Sequence, residues 1–474
     1  MNQPVVPRPQ GDANRPKRIL FDMSFTCLSG KTSGIERVVR SLHTAGLAWQ
    51  QARMHKSSFP EFIPVFASQG QFYRLDQRAQ SLLAPLGQFE RDCLSVVPYW
   101  YRLLAWTLCR IAPLPWLRRQ LLPSTGHLGI FKSWHRHKKK KALANAASGQ
   151  DPLKLCADDI VWLPDAYWAQ ASVWSAAEHA QQQGALVASL VYDLIPLRSG
   201  TFNQGFYRYL HQLLDNSHVA LCISDCERQQ LEAFQAASDS RFSSCITFRT
   251  VTLGCDIQHS EDEVRPQFAC PFESPSKQPL ADNDHPSVYL CVNTFDPRKN
   301  HALLLEAFDH LWSTGNDVRL CLVGRLGWQY QEIARRISGH KELNRRLFVF
   351  HDATDAEINY CYQRARAVIT ASKDEGFGLP IVESLSRGRT TLASDIPIHR
   401  EVGGHSCHYF ALTNTAELVL LVQQCELSQL PHVASACSTV AMRPKIQTWQ
   451  QSFEQCQHEL VTLFEHRLAR RAAA

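Results

Sequence analysis

The stretch from Ala367 to Gly388 constrains the fold more than any other part of the chain. It opens with the apolar run Ala367-Val368-Ile369-Thr370-Ala371, which reads as a strand buried on both faces, as in a parallel sheet. The nonapeptide Glu375-Gly376-Phe377-Gly378-Leu379-Pro380-Ile381-Val382-Glu383 follows, and a helical pattern from Ile381 to Arg387 ends at Gly388. Strand, glycine-rich loop and helix in that order put the loop at the carboxyl end of a strand, where open α/β sheets bind ligands. Gly376 and Gly378 let backbone approach a ligand closely, and the free N–H groups of the helix start favour anions. Pro380 suits the first helical turn, where its missing N–H costs nothing. Nothing apolar calls for a carboxylate at either end, so Glu375 and Glu383 are candidate site residues.

The same rhythm recurs along the chain. Strands are expected at Arg18–Asp22, Asp159–Leu163, Ala185–Tyr192 and Ala220–Ser224, then at Ser287–Val292, Val318–Val323 and Leu347–Phe350. Ser224 is placed to cap a following helix. Strands separated by helices at this spacing imply parallel, doubly wound α/β sheets. With 474 residues the chain exceeds what one core usually holds, so two domains are expected. Residues 1–17 are a Pro-rich polar leader, expected to be disordered. Residues 18–257 form the first domain, 258–286 a polar linker and 287–444 the second domain. Residues 445–474 read as one amphipathic helix, long enough to reach back across the first domain.

Composition narrows the function classes. A hydrophobic content of 45% belongs to a globular protein, and a net charge of +6 is too mild to imply a nucleic-acid partner. The sixteen cysteines include no CxxC pair and sit inside apolar runs, as buried residues of a reducing cytosol would. There is no apolar signal core and no membrane-spanning run of ~18 residues, which points to the cytoplasm. The region from about residue 90 to 150 stands apart. Its aromatic segments Val96–Trp106 and Pro113–Arg119 precede His135-Arg136-His137-Lys138-Lys139-Lys140-Lys141. Aromatics beside clustered cations suit an anionic membrane surface; a nucleic-acid patch and a solvated insertion packed on its own domain are the alternatives.

In the second half, three strand-end loops carry matching chemistry: Asp296-Pro297-Arg298-Lys299, Gly324-Arg325 and Glu375–Gly378. Parallel topology puts all three on one edge of the sheet. Cations, free N–H groups and a terminal carboxylate are what a nucleoside diphosphate needs. In the first half, a glycine loop before Ile35 and the strand-end loop Tyr192-Asp193-Leu194-Ile195-Pro196 offer a facing surface.

These residues resemble the retaining, GT-B-fold glycosyltransferases of family 4, which include many bacterial mannosyl- and rhamnosyltransferases. The resemblance rests on Asp296–Asn300, on Leu322-Val323-Gly324 with Gly327-Trp328, and above all on the Glu-x7-Glu spacing of Glu375 and Glu383. Ser394-Asp395 and Glu401-Val402 extend it, and Gly34-Ile35-Glu36-Arg37, Tyr192–Pro196, Ser224 and Leu253–Asp256 carry a thinner match in the first half. It implies two Rossmann-like domains, the first on the acceptor side and the second binding a nucleotide sugar, with the donor in the cleft between them. Lys299 would hold the diphosphate with Arg298 nearby, and Gly34 would give it room. Glu383 would bind ribose. Glu375 and the amides of Gly376, Phe377, Gly378 and Leu379 would meet sugar and phosphate, with Gly324 and Arg325 lining the donor site. Asp193 would face the sugar or the acceptor. No metal or other cofactor is then required, and the leaving diphosphate would take the acceptor's proton.

Two positions depart from the family. Where many relatives have an arginine before the lysine, this chain has Asn293-Thr294, which leaves Arg298 or Arg325 to substitute. Tyr192 stands where many have a histidine. The expected function is transfer of a hexose, mannose or rhamnose, from a GDP-sugar in preference to a UDP-sugar. The acceptor would be a growing lipid-linked polysaccharide, such as lipopolysaccharide O-antigen or capsule, at the inner face of the cytoplasmic membrane. Two other classes compete. A glycoside hydrolase would use Glu375 and Glu383 as an acid/base pair. A non-catalytic relative of the same fold would only bind lipid or a partner.

Overall fold

Among the residues described by the structure, a computed structural model, thirteen strands form two sheets. Those residues are 15–29, 34–53, 59–76, 137, 139–168, 170–198, 204–238, 246–255, 264, 266–273, 287–351, 353–430 and 446–473. The first sheet contains β1 (Arg18–Asp22), β2 (Glu61–Ser68), β3 (Gln71–Arg74), β4 (Asp159–Leu163), β5 (Leu186–Val191), β6 (Val219–Cys222) and β7 (Thr247–Thr250). Its order is β3-β2-β1-β4-β5-β6-β7, parallel throughout except for the antiparallel edge strand β3. The second contains β8 (Val288–Val292), β9 (Arg319–Val323), β10 (Leu347–Phe350), β11 (Ala367–Thr370), β12 (Thr390–Ser394) and β13 (His408–Phe410). Its order, β10-β9-β8-β11-β12-β13, is wholly parallel. Both are doubly wound Rossmann-like sheets, and together they make the GT-B architecture. The central strands β4, β5 and β11 are buried along their whole length, which is why their sequences are continuous apolar runs.

Local chemistry fixes the helix starts. Ser224 accepts from the Glu227 N–H and caps the helix Asp225–Ala237. Thr354 and Glu357 form a reciprocal capping box at Asp355–Arg364. The C-terminal helix, Trp449–Ala473, packs on the first sheet. Its Phe453 meets Phe62 edge-on at 5.3 Å and also reaches Trp49 and Trp162. The apolar cluster on this face continues without a break into Phe377, Ile381, Val382 and Ile398 of the second domain. No helix among the described residues is long and apolar enough to cross a membrane.

Three expectations change. Residues 1–14 lie outside the described set, but the leader does not extend to residue 17. Pro16 is buried, and Lys17 exchanges backbone hydrogen bonds with Asp158 and Glu61 and pairs with Asp158. Within the expected linker, Pro266–Phe272 is helical, and Phe268 and Phe272 are buried in the second domain's core. Two well-placed aromatics outweigh a polar average. Most of the aromatic and basic region lies outside the described residues. Of its final lysines, Lys140 and Lys141 are exposed while Lys139 is buried, so the run is not one solvated cationic face.

Candidate functional site

Strands β8 and β11 are neighbours at the point where the second sheet's order reverses, so the loops that leave their carboxyl ends bound a crevice. After β8, the Asp296 carboxylate accepts from the N–H groups of Arg298 and Lys299 and caps the turn Pro297–Lys299. Asn300, at φ 56°, reverses the chain into the helix His301–Ser313. That turn presents both cations to the loop after β11. The Lys299 ammonium pairs with Glu375 Oε1, and Arg298 Nη1 lies 3.1 Å from Oε2 while donating to the Asp374 carbonyl at 2.6 Å. The Ser372 hydroxyl donates to Glu375 Oε1 at 2.7 Å. Burial alone would raise the Glu375 pKa, but Lys299 and then Arg298 outweigh it and hold the carboxyl at about 2. A carboxyl held so low is a fixed anion and cannot serve as the general acid of a hydrolase near neutral pH.

Glu383, at the other end of the nonapeptide, is also buried. Arg37 of the first domain reaches it across the cleft, Nη1 to Oε1 at 2.7 Å, and the Tyr362 hydroxyl donates to Oε2 at 2.8 Å. The side chain of Arg387 holds the Glu383 backbone carbonyl.

Further contacts close the cleft. Gly376 lies so near the first domain that a Cβ there would overlap the Tyr192 carbonyl oxygen and come within 2.9 Å of Asp193 Cβ. The Ser224 hydroxyl donates to the Gly376 carbonyl at 3.0 Å. Arg198 bridges Glu227 of its own domain and Asp374 of the other, each at 2.8 Å. Glu401 accepts from the N–H groups of Asp225 and Cys226 at 2.6 and 2.9 Å, so a second-domain carboxylate caps a first-domain helix. Asp193 sits among these charges. Burial raises its pKa, against the pull of Arg298 and Arg198.

The remaining expected residues fall at varied distances from this cluster. Of the two arginines open to substitute for the missing one, Arg298 stands beside Glu375, while Arg325 lies on an exposed loop. Gly324 is required by packing, because a Cβ would overlap the Asn293 carbonyl. Gly34 has φ 66° and open space around it; Lys31, in the loop before it, lies outside the described residues. Gly378, at φ 94°, begins the helix Leu379–Leu385, Phe377 is buried against the first domain, and Leu379 packs beside it. Tyr192 spends its hydroxyl on the Pro164 carbonyl inside its own domain, so that group is not presented to the cleft.

Sequence reasoning did not single out Arg37 or Arg198 as site residues. Each pairs with a carboxylate on the other domain, and neither partner is visible before the domains are set face to face.

Residues 273–424 match the family described as Glycosyl transferases group 1. The serotype-specific mannosyltransferase WbdA of Escherichia coli is 28% identical over 247 residues, which are 51% of this chain and 30% of that protein. The O-antigen chain mannosyltransferase B of Escherichia coli is 29% identical over 201 residues, 41% of this chain and 48% of that one. The chain therefore spans less than half the length of either relative. Among solved structures, Anabaena HepE in complex with UDP and glucose aligns over 97% of this chain and 100% of its own, at 14% identity and a TM-score of 0.49.

Proposed function

We propose that this chain, which belongs through residues 273–424 to the glycosyl transferases group 1 family, transfers a hexose from a nucleotide sugar to a polysaccharide acceptor with retention of configuration. The observation that carries the reading is the convergence of Arg298, Lys299 and Glu375 at the switch point of the second sheet, beside the Gly376–Gly378 loop. Two cations, Lys299 and Arg298, stand where a diphosphate would lie, with Glu375 against both and the Asp296 carboxylate 3.9 Å from Arg298. In the proposed reaction the bond from the anomeric carbon to the diphosphate breaks and a bond to an acceptor hydroxyl forms on the same face. The hydroxyl proton passes to the departing diphosphate. Lys299, Arg298 and backbone N–H groups stabilise the charge that develops there. Glu375 holds both cations in position and faces the sugar, Glu383 takes the ribose, and Asp193 stands on the sugar or acceptor side.

Mannose is favoured as the hexose, because both Escherichia coli relatives are named as mannosyltransferases, and GDP is the proposed carrier. The acceptor in this reading is a lipid-linked surface polysaccharide at the cytoplasmic face of a membrane; the name of the O-antigen chain relative supports its polysaccharide part. The test is a panel of GDP- and UDP-hexoses with a lipid-linked oligosaccharide, read by mass spectrometry. Addition of one hexose with release of the matching nucleoside diphosphate is expected. Full activity in a Lys299→Ala, Glu383→Ala double variant would refute the assignment.

A further inference from the structure

His399, on the short helix Pro397–Gly403 that follows β12, is wholly buried. Its Nδ1 lies 3.0 Å from the Ser394 carbonyl oxygen and 3.1 Å from the Ser394 hydroxyl. That hydroxyl donates its single proton to the Ser372 carbonyl at 2.6 Å. Both groups facing Nδ1 are therefore acceptors, so Nδ1 carries the ring proton. Burial lowers the proton affinity of the ring, with Glu375 acting against it, which favours the neutral form. Nε2 is then a bare lone pair, and it is buried without a hydrogen-bond partner. A buried acceptor left unmatched is a standing penalty that a bound donor group can remove.

The position of Nε2 says which group that would be. The Nε2–Cδ2 edge faces Gly378, where a Cβ would stand 3.8 Å from Nε2 and 3.5 Å from Cδ2. Because residue 378 is glycine, that position itself adds no side chain against the edge, and Ile381 Cδ1 lies 3.6 Å from the same point. The same imidazole is tied to the diphosphate cluster through Ser394 and Ser372, whose hydroxyl holds Glu375. A lone pair repels phosphate, which has no proton to give at neutral pH, and the ribose is assigned to Glu383. The hexose is the part of a nucleotide sugar that presents further hydroxyl donors.

We propose that His399 Nε2 accepts a hydrogen bond from a hydroxyl of the donor hexose, which makes His399 a residue that selects the donor sugar. The inference rests on the nucleotide-sugar reading of the cleft.

The test compares affinities for GDP, GDP-mannose, UDP and UDP-glucose by calorimetry in the wild type, His399→Phe and His399→Gln. For the nucleotide sugar that the wild type prefers, His399→Phe loses about tenfold, while affinity for the matching diphosphate changes by less than about twofold. His399→Gln, whose amide oxygen supplies an acceptor, recovers part of the loss. Equal losses for sugar and diphosphate, or no loss for either, overturn the proposal while the donor reading stands. A wild type that binds none of the four overturns the donor reading, and this proposal with it. Monodeoxy donors tested on the wild type give a measurement that does not depend on a variant folding. Removal of one hexose hydroxyl should cost about the same tenfold, and a series in which no deoxy donor is weakened refutes the assignment.

Discussion

The ion pair between Arg37 and Glu383 joins the two domains, and its strength can be worked from its surroundings. The Glu383 side chain is 3% exposed and that of Arg37 is 23% exposed. Replacing Arg37 by Met keeps the aliphatic stem and strands a buried carboxylate, with the Tyr362 hydroxyl as its remaining side-chain donor. Breaking a buried pair from one side costs ~3–5 kcal/mol, and the partial exposure of Arg37 argues for the lower end, about 3 kcal/mol. Glu383→Gln should cost less, because the amide still accepts from Tyr362 and the freed guanidinium can reach water. The double variant removes the pair without leaving a lone charge. A double-mutant cycle should therefore return a coupling of about 2 kcal/mol, or roughly 30-fold in the ratio of open to closed cleft.

Global unfolding of a two-domain chain is a poor readout of one interface, because it need not be two-state. Hydrogen exchange resolved by segment is the better assay, since opening of the cleft is a sub-global event. The amides at position 37, Val38 and Ile381, whose N–H groups bond to the Gly34 and Gly378 carbonyls, should lose protection in Arg37→Met and regain much of it in the double variant. Equal exchange in the single and double variants, a coupling below ~0.5 kcal/mol, would refute the claim that this pair holds the domains together.

Three other outcomes follow from the same contacts. The Glu375 pKa lies near 2, below the ordinary 4.5, so its stabilising contribution is present above pH 4.5 and is lost as pH falls towards 2; Glu375→Gln should flatten acid denaturation in that window, measured as thermal midpoint against pH. Asp165, at the end of β4, accepts from the N–H groups of Thr26 and Ala166, and burial raises its pKa from 3.8 to about 7. Its native state holds a proton more tightly than the unfolded chain, so that contribution is full below pH 3.8 and fades as pH rises through about 7; Asp165→Asn should remove this part of the pH dependence. Gly376→Ala would drive a Cβ into the Tyr192 carbonyl and wedge the domains apart, so transfer should fall by at least about a hundredfold while far-ultraviolet circular dichroism is unchanged.

Much of both domains could be read in advance because their signals are local. Buried parallel strands are apolar runs, and Ser224 and Thr354 mark helix starts by their own side chains. The sequence also put the cationic loop and the nonapeptide on one edge of a sheet. It could not say that β8 lies beside β11, and that adjacency is what brings Lys299 to Glu375. The misread regions share a cause, in that composition was averaged where single positions decide. Phe268 and Phe272 anchor a stretch that is polar overall, and Lys139 turns inward from a basic run whose next two lysines are exposed. Tyr192 occupies a position of interest, but its hydroxyl is committed to Pro164, which no pattern of residue types reveals.

The paired charges in the cleft also set conditions on how a donor would enter. Both carboxylates of the nonapeptide already have partners, Glu375 with Lys299 and Arg298, and Glu383 with Arg37 and Tyr362. A diphosphate would share Lys299 and Arg298 with Glu375, and Arg298 also with Asp296, whose carboxylate lies 3.9 Å away. A ribose can take Glu383 only by displacing Arg37 or sharing the carboxylate with it, and Arg37 belongs to the other domain. Ribose binding and cleft opening are then linked through one side chain, and linkage is reciprocal. Arg37→Met should therefore tighten binding of a nucleoside diphosphate relative to inorganic pyrophosphate, which has no ribose to compete for Glu383. If the variant shifts both ligands by the same factor, the competition does not exist, and Arg37 closes the cleft without gating the nucleotide.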